Sequence, residues 1–353
     1  MALHASVWSD SSYVRSSSGD YVFKTVLYNL HTIWLFTYSD LKTILFPQTL
    51  FGILTALAQV QQETTGFNND KVHEVLKRIP MVMFWIWIHL LPVDIHNQQQ
   101  QDAIEEDRIN KSWRPLPSRR CTLTQARSAM ILFYSIAALL SYEIGLLRWT
   151  MSIIILGSHF SFTAWASFGK LIGITGTWYN SFGGSDVNPL IRNFLNALAY
   201  ALFSLGALEI AQNEQLNFGH LGKPGHSDLP SLEMWVIVLT LVIMTTIQLQ
   251  DMEDQEGDML KGRRSMPLQV GDGPTRWVTA IFMVLWGFLC PYFWDCDWSG
   301  YLAATALACL IALRSIAYRT VEHDKTTFRM WNMWIVGLYM LPVLRTGQYT
   351  EAM

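Results

Sequence analysis

Residues 232–264 read LEMWVIVLTLVIMTTIQLQDMEDQEGDMLKGRR, an apolar run that leads directly into an acidic and then a basic segment. The run from Leu232 to Leu249 contains one charged residue, Glu233. A helix needs about 20 predominantly apolar residues to cross a bilayer, so this run predicts a transmembrane helix. The charged segment that follows it is therefore expected at the membrane boundary.

The composition of the whole chain agrees with that interpretation. Of 353 residues, 51% are hydrophobic and only 15% are charged, whereas soluble domains carry about 25% charged residues. The net charge of −3 argues against a nucleic-acid-binding protein, which needs a basic face. The four cysteines show neither a CxxC pair nor zinc-type spacing. We therefore expect a polytopic membrane protein in contact with the lipid bilayer.

Nine apolar stretches are candidate spans, and several carry polar residues such as Gln48 and Thr49. Interrupted apolarity is typical of helices that line a shared polar interior. The segment 26–43 mixes aromatic residues with charges and predicts an interfacial amphipathic helix. Residues 1–22 form a polar tail, and 23–353 are expected to form one transmembrane domain. The predicted spans are 45–60, 80–96, 126–142, 149–168, 189–211, 232–249, 277–293, 301–315 and 328–344.

Basic residues orient these spans in the membrane. The loops after spans two, six and eight carry most of the lysines and arginines between spans, and such loops stay on the cytosolic side. Both acidic segments follow spans two and six. The sequence therefore predicts a site that opens to the cytosol, in a membrane that we expect to be the endoplasmic reticulum.

The acidic segment after span six is the clearer of the two. Asp251, Asp254 and Asp258 are spaced i, i+3, i+7, which places them on one face of a continuous helix. Carboxylates so close together repel one another, and Mg²⁺ neutralises them while it shares its other positions with phosphate oxygens. The basic tail that begins at Lys261 could bind further phosphate oxygens. The alternative is an exposed charged loop at a helix end.

The other acidic segment comes earlier in the chain, after span two, and reads DIHNQQQQDAIEEDRINKSWRPLP over residues 94–117. On one continuous helix, Asp102 and Glu106 share a face, and so do Asn97 and Gln101. The prolines of RPLP end that helix. Two acidic helix ends with basic tails on one membrane face outline a clamp for Mg²⁺ and diphosphate.

The two segments together resemble the UbiA superfamily of intramembrane prenyltransferases. The resemblance rests on DRINKSWRPLPS at 107–118 and DMEDQEGDMLKGRRSMPL at 251–268. It implies nine helices around a central cavity, with Asp-rich motifs near the ends of helices two and six. The second motif fits the family pattern DxxDxxxD. The first departs from NDxxDxxxD, since the middle aspartate position falls on Ala103. Either the helix bulges there, or Asp102 and Glu106 replace the usual pair.

That departure is similar to a fungal branch of the superfamily that includes membrane-bound terpene cyclases. The similarity extends to Trp178-Tyr179-Asn180 and to the segment that begins at Arg192. The resemblance implies catalytic roles for Asp102, Asp107, Asp251 and Asp254. It implies magnesium ligands at Asn97, Asp102, Glu106, Asp107, Asp251, Asp254 and Asp258, and diphosphate-binding residues at Lys111, Arg114, Tyr179, Asn180 and Lys261.

Two asparagines in span five allow two interpretations. Asn193 and Asn196 are spaced i, i+3. They either make interhelical hydrogen bonds of ordinary membrane packing or face a ligand beneath the diphosphate.

The resemblance leaves two enzymatic functions open. A class I terpene cyclase would ionise farnesyl or geranylgeranyl diphosphate with Mg²⁺ and cyclise the allylic cation. An intermolecular prenyltransferase would pass the same cation to an aromatic acceptor. A cation-coupled transporter is disfavoured, because the acids cluster at one membrane edge and no broken-helix inverted repeat is evident. No obligate protein partner is indicated.

Overall fold

The computed structural model describes residues 18–63, 68–157, 188–216 and 232–345. In those ranges the chain is helical, and its only β-type pairing is an isolated bridge between Cys296 and Arg345. In chain order the helices are α1 (Ser18–Thr37), α2 (Phe46–Glu63), α3 (Asn69–Leu76), α4 (Ile79–Asn97), α5 (Gln101–Asn110), α6 (Leu123–Glu143), α7 (Leu147–Gly157), α8 (Pro189–Gln212), α9 (Leu232–Thr246), α10 (Gln255–Lys261), α11 (Met266–Val270), α12 (Asp272–Phe293), α13 (Trp298–Ala317) and α14 (Val321–Tyr339).

Seven helical segments within the described ranges are long and apolar enough to cross a membrane. They correspond to predicted spans one, two, three, five, six, seven and eight. The fourth predicted span is described only as far as Gly157. The ninth was predicted at 328–344, but α14 begins at Val321, where the Thr320 side chain accepts a hydrogen bond from the amide of His323. The all-α membrane architecture is confirmed, whereas the count of nine stays a prediction.

The predicted interfacial helix is present but displaced toward the N-terminus. α1 begins at Ser18, inside the predicted polar tail, and ends at Thr37. A turn and a π-helical segment, Leu41–Leu45, then connect it to α2. Phe23, Leu30 and Trp34 on α1 are exposed, as expected for a helix with an apolar face toward lipid.

The core forms around α8, which packs closely on α2 and α4. A Cβ atom at Gly52 would lie 2.7 Å from the backbone carbon of Ala207, and one at Gly206 would overlap the ring of Trp85. These positions need glycine because the backbones and the indole occupy the space of a side chain. Close packing of α2, α4 and α8 brings the ends of α4 and α8 to the same region, where the first acidic motif begins.

Candidate active site

The first acidic motif is divided between two helices. α4 ends at Asn97 and α5 begins at Gln101, so the prediction that these two residues share one helix face is wrong. Two glutamines hold the break: Gln98 Nε2 donates to the carbonyl of Phe36 at 2.9 Å, and Gln99 Nε2 contacts Met130 Sδ at 3.3 Å. The glutamine run thus has a structural role, and the helix is interrupted rather than bulged.

On α5, Asp102 and Glu106 do share a face, but their environments differ. The side chain of Asp102 is 48% exposed, whereas that of Glu106 is 7% exposed. α5 ends at Asn110, before the prolines that were expected to end it. Glu106 and Asp107 are therefore the buried carboxylates of this motif.

The second motif does not form one continuous helix either. α9 ends at Thr246, a short 3₁₀ segment covers Ile247–Leu249, and α10 begins after Asp254. Asp251 and Asp254 therefore lie in a turn, and the predicted single helical face is wrong. The turn separates the carboxylates, so each can meet a different basic side chain.

Three ion pairs neutralise the second motif. Arg192 Nη2 donates to Asp251 Oδ1 at 2.7 Å, and Arg263 Nη1 donates to Asp258 Oδ1 at 2.6 Å. Lys111 Nζ donates to Asp254 Oδ2 at 3.2 Å. These are charge-assisted contacts between buried or largely buried groups, which compensate part of the cost of burial. They also connect α8 and the end of α5 to this motif.

Further contacts join the two motifs directly. Arg263 Nη1 donates to Glu106 Oε1 at 3.0 Å, and Lys261 Nζ lies 3.9 Å from both Glu106 Oε2 and Asp102 Oδ2. Within the first motif, Arg114 Nη1 lies 2.9 Å from both oxygens of Asp107. The acidic and basic side chains thus form one electrostatic network at one end of the helix bundle.

A glycine permits this close approach of the motifs. A Cβ atom at Gly257 on α10 would lie 2.2 Å from Nδ2 of Asn110 on α5. Asn110 Nδ2 is also 3.4 Å from the carbonyl oxygen of Asp254. Without a side chain at Gly257, the two helices can bring their carboxylates to one place.

The network surrounds a central cavity of about 280 Å³. Seven of the residues expected at the site line this cavity: Asn97, Glu106, Asp107, Lys111, Arg114, Asp254 and Lys261. Asp102, Asp251 and Asp258 are not among the described lining residues, but Arg192 and Arg263, which pair with Asp251 and Asp258, do line the cavity. Tyr179 and Asn180 lie outside the described residues.

Several lining residues were not assigned a role from the sequence. Arg192 is buried within the fifth predicted span, and an arginine in an apolar span indicates a functional position by default. Asp40 and Lys42 come from the segment expected to lie at the membrane interface, and Asp94 comes from the last turn of α4. The π-helical segment, which often occurs at functional sites, places the first two at this wall.

The inner wall of the central cavity is apolar and aromatic. Leu90, Tyr200, Phe203 and Phe328 line it. Of the two asparagines on α8, Asn196 lines the cavity, whereas Asn193 Nδ2 donates to Gln248 Oε1 on the 3₁₀ segment at 3.0 Å. The packing interpretation therefore holds for Asn193, and a ligand-facing role for Asn196 stays a prediction.

The ion pairs shift the pKa values of the groups at the membrane boundary. Burial favours the neutral carboxyl of Asp254, yet the charge and hydrogen bond of Lys111 outweigh burial and lower the pKa of Asp254. Burial raises the pKa of Asp251 to about 6, against the opposing attraction of Arg192. Burial also opposes the charge on Lys111, but the combined attraction of Asp254, Asp107 and Glu106 outweighs burial and raises the pKa of Lys111. The Lys111–Asp254 pair is therefore stable as an ion pair.

The oxygen atoms at this site fit a hard divalent cation. Mg²⁺ prefers carboxylate and water oxygens and binds through one or two carboxylates plus phosphate. Glu253 Oε2 and Asp258 Oδ2 are buried and have no hydrogen-bond partner within the part of the chain that the structure describes. No group of three metal-binding side chains is preassembled among those residues, and the carboxylates of the second motif contact basic side chains instead.

The chain belongs to the UbiA prenyltransferase family, whose model matches residues 101–336. It is 26% identical to Somaliensene A/B synthase of Streptomyces somaliensis, over 89% of this chain and 92% of that protein. It is also 26% identical to Fumagillin beta-trans-bergamotene synthase of Aspergillus fumigatus, with the same two coverages.

A solved structure of a UbiA homologue from Archaeoglobus fulgidus bound to DMAPP and Mg²⁺ has the same fold. The TM-score is 0.51 at 13% identity, and the alignment covers 89% of this chain and 99% of the homologue. The protein is thus a multi-pass membrane enzyme of the UbiA superfamily, in the class of terpene cyclases and prenyltransferases.

Proposed function

We propose that this protein is a Mg²⁺-dependent class I terpene cyclase, which ionises farnesyl or geranylgeranyl diphosphate and cyclises the allylic cation to a hydrocarbon. The observation that carries the proposal is the arrangement of the central cavity. Its lining combines the acidic and basic side chains of both motifs with the aliphatic and aromatic side chains of Leu90, Tyr200, Phe203 and Phe328. A diphosphate head and an isoprenyl chain have the same division into charged and apolar parts.

The charged side chains would bind the leaving group. Asp107, Glu106 and Asp254 line the cavity and would hold Mg²⁺, with Asp258 and Asp251 behind them. Bound Mg²⁺ supplies positive charge that stabilises the departing diphosphate. Lys111, Arg114 and Lys261 would exchange their carboxylate partners for diphosphate oxygens, and Arg192 and Arg263 are placed to do the same.

The apolar side chains would protect the cation. Tyr200, Phe203 and Phe328 line the cavity, and the faces of aromatic rings attract cations within about 6 Å. An apolar lining also excludes water, which otherwise captures reactive intermediates. The cation could then react with the distal double bonds of its own chain before it loses a proton.

The cyclase is favoured over the prenyltransferase by the two synthases noted above, since each matches this chain over nearly its whole length. The names of these two relatives are consistent with terpene formation. The family name supports the alternative, transfer of the isoprenyl group to an aromatic acceptor, and that alternative uses the same ionisation step. We also propose that the central cavity opens to the cytosol and that the protein resides in the endoplasmic reticulum.

The first test is an assay of membrane fractions with Mg²⁺ and either farnesyl or geranylgeranyl diphosphate, without an acceptor. Gas chromatography–mass spectrometry should detect a cyclic hydrocarbon from one of them. EDTA should stop its formation, and added Mg²⁺ should restore it. Turnover that EDTA does not affect would contradict the metal-dependent mechanism. If product forms only after an aromatic acceptor is added, the prenyltransferase is the correct function.

A further inference from the structure

A second cavity, the inner cavity, lies next to the central cavity and has a volume of about 10 Å³. Along α8 the lining passes from Tyr200 of the central cavity to Ser204 of the inner cavity, one helical turn further from the acidic motifs. In the same way, Ile247 of the 3₁₀ segment lines the central cavity, and Ile243, one turn earlier on α9, lines the inner cavity. Tyr200 is the one described residue that lines both cavities, so its side chain separates them.

The inner cavity is lined mostly by apolar side chains, but Ser204, Thr240 and Tyr339 bring hydroxyl groups to it. Ser204 Oγ donates to Gln48 Oε1, and the hydroxyl of Tyr339 lies beside Gln48. Gln48 Nε2 and Tyr339 Oη are buried, and neither has a partner at hydrogen-bond geometry in the described ranges. Buried polar groups are nearly always hydrogen-bonded to protein or to ordered water. A cavity of roughly 10–15 Å³ with two to four polar partners holds one water molecule.

The ring of Tyr200 is held in place from the side of α14. It packs edge-on against Trp331, with ring centroids 6.3 Å apart. Trp331 in turn donates its indole N–H to Thr246 Oγ1 at 3.0 Å and stacks on Phe328 at 5.5 Å. Tyr200 is therefore a fixed partition between the two cavities.

We propose that one water molecule occupies the inner cavity and that Tyr200 keeps it away from the carbocation, so that the product is a hydrocarbon. This proposal rests on the proposed function. With the partition intact, a C–H bond of the cation breaks, its electron pair forms a C=C bond, and the proton passes to the released diphosphate. Without it, a lone pair of the water forms a C–O bond to the cation. The oxonium then gives its proton to the diphosphate, and the product is an alcohol.

The test compares products of three variants in water labelled with ¹⁸O. Tyr200→Ala should raise the fraction of ¹⁸O-labelled terpene alcohol roughly tenfold, because it joins the cavities. Tyr200→Phe keeps the ring and should give the hydrocarbon. Phe203→Ala is the comparison for the loss of an aromatic ring, since Phe203 lines the central cavity but not the inner cavity. Its turnover should fall, because Phe203 belongs to the proposed cation-binding wall, but the alcohol fraction of its product should stay at the wild-type level. Equal alcohol from the Phe203 and Tyr200 alanine variants would overturn the proposal, as would diphosphate release by Tyr200→Ala without alcohol.

A further variant separates the bound water from water that enters from outside. Adding Ser204→Ala and Tyr339→Phe to Tyr200→Ala removes two ligands of the water and should lower the alcohol fraction again. An unchanged alcohol fraction would contradict a bound water as its source. An experimental structure of the wild-type protein that resolves ordered water should show density beside Ser204 and Tyr339. An empty inner cavity would overturn the proposal whatever the enzyme's products are, whereas failure of the wild type to form any cyclic product would overturn only the proposed function.

Discussion

Asp254 is the residue at which the two acidic motifs meet, since it lines the central cavity and pairs with Lys111 of the other motif. Asp254→Asn removes the negative charge while keeping the size of the side chain. We expect turnover to fall roughly 100-fold or more, because one fixed electrostatic group of an active site contributes on that scale. The turnover is measured as the rate of hydrocarbon formation in membrane fractions that contain equal amounts of the wild-type and variant proteins.

The matched control lies two residues further along the chain. Glu256 is an exposed carboxylate in the first turn of α10, so Glu256→Gln changes the net charge by the same amount without touching the cavity. It should keep nearly wild-type turnover. Wild-type turnover by Asp254→Asn, or an equal loss in both variants, would rule out the clamp.

Arg192 serves both the stability and the chemistry of the site. Its pair with Asp251 is almost fully buried, and removal of one member of such a pair costs about 3–5 kcal/mol because the other charge stays buried. Arg192→Gln should therefore lower the thermal stability of the detergent-solubilised protein. The double variant Arg192→Gln/Asp251→Asn should recover most of the stability, since it leaves no unpaired charge.

Activity should not recover in the same double variant, because Arg192 also lines the central cavity. Thermal unfolding and turnover measured on the same preparations distinguish the two effects. Recovery of both would show that Arg192 acts only through its ion pair.

At the scale of helices, the site depends on how closely α5 and α10 approach. Gly257→Ala introduces a methyl group that overlaps Asn110, and such overpacking costs about 1–3 kcal/mol. The helices must separate, so we expect reduced turnover as well as reduced stability. Adding Asn110→Ala makes room for the methyl group and should restore part of the turnover.

Gly337→Ala is the control for the loss of turnover and stability expected of Gly257→Ala. Gly337 lies inside α14, and its Cβ position has open space around it in the structure. Alanine favours the helix relative to glycine, so stability should be unchanged or slightly higher. Comparable losses in the Gly257 and Gly337 variants would indicate that the close approach of α5 and α10 is unimportant.

At the scale of the whole molecule, the orientation in the membrane can be tested with cysteine labelling. Arg264 follows α10 on the predicted cytosolic face, and Asp70 lies in the first turn of α3 on the opposite face; both are exposed. In a background with the four native cysteines replaced by serine, a membrane-impermeant thiol reagent should label Arg264→Cys in sealed microsomes. Asp70→Cys should react only after detergent is added. The reverse pattern would place the site in the lumen.

Much of this architecture follows from local sequence. Apolar runs of sufficient length predicted the position of seven of the described membrane helices to within a few residues, because a bilayer imposes one length and one polarity on each span. Asp254 and Glu106 were predicted from carboxylates clustered at a membrane edge, which need a compensating charge, whereas Asp107 was predicted from the family resemblance. The spacing argument failed where turns replaced continuous helices, at Asn97–Gln101 and at Asp251–Asp254.

The sequence by itself determined the class of the protein, the segments that cross the membrane and the two charged motifs at one end. Only the tertiary structure decided that Arg192 pairs with Asp251, that Lys42 and Asp40 join the cavity wall, and that Tyr200 lines two cavities. The physical reason is the range of the forces involved. Hydropathy and charge act over short stretches of chain, so they appear as patterns in the local sequence. Pairing between residues far apart in sequence depends on how whole helices pack, and no single segment of the sequence determines that packing.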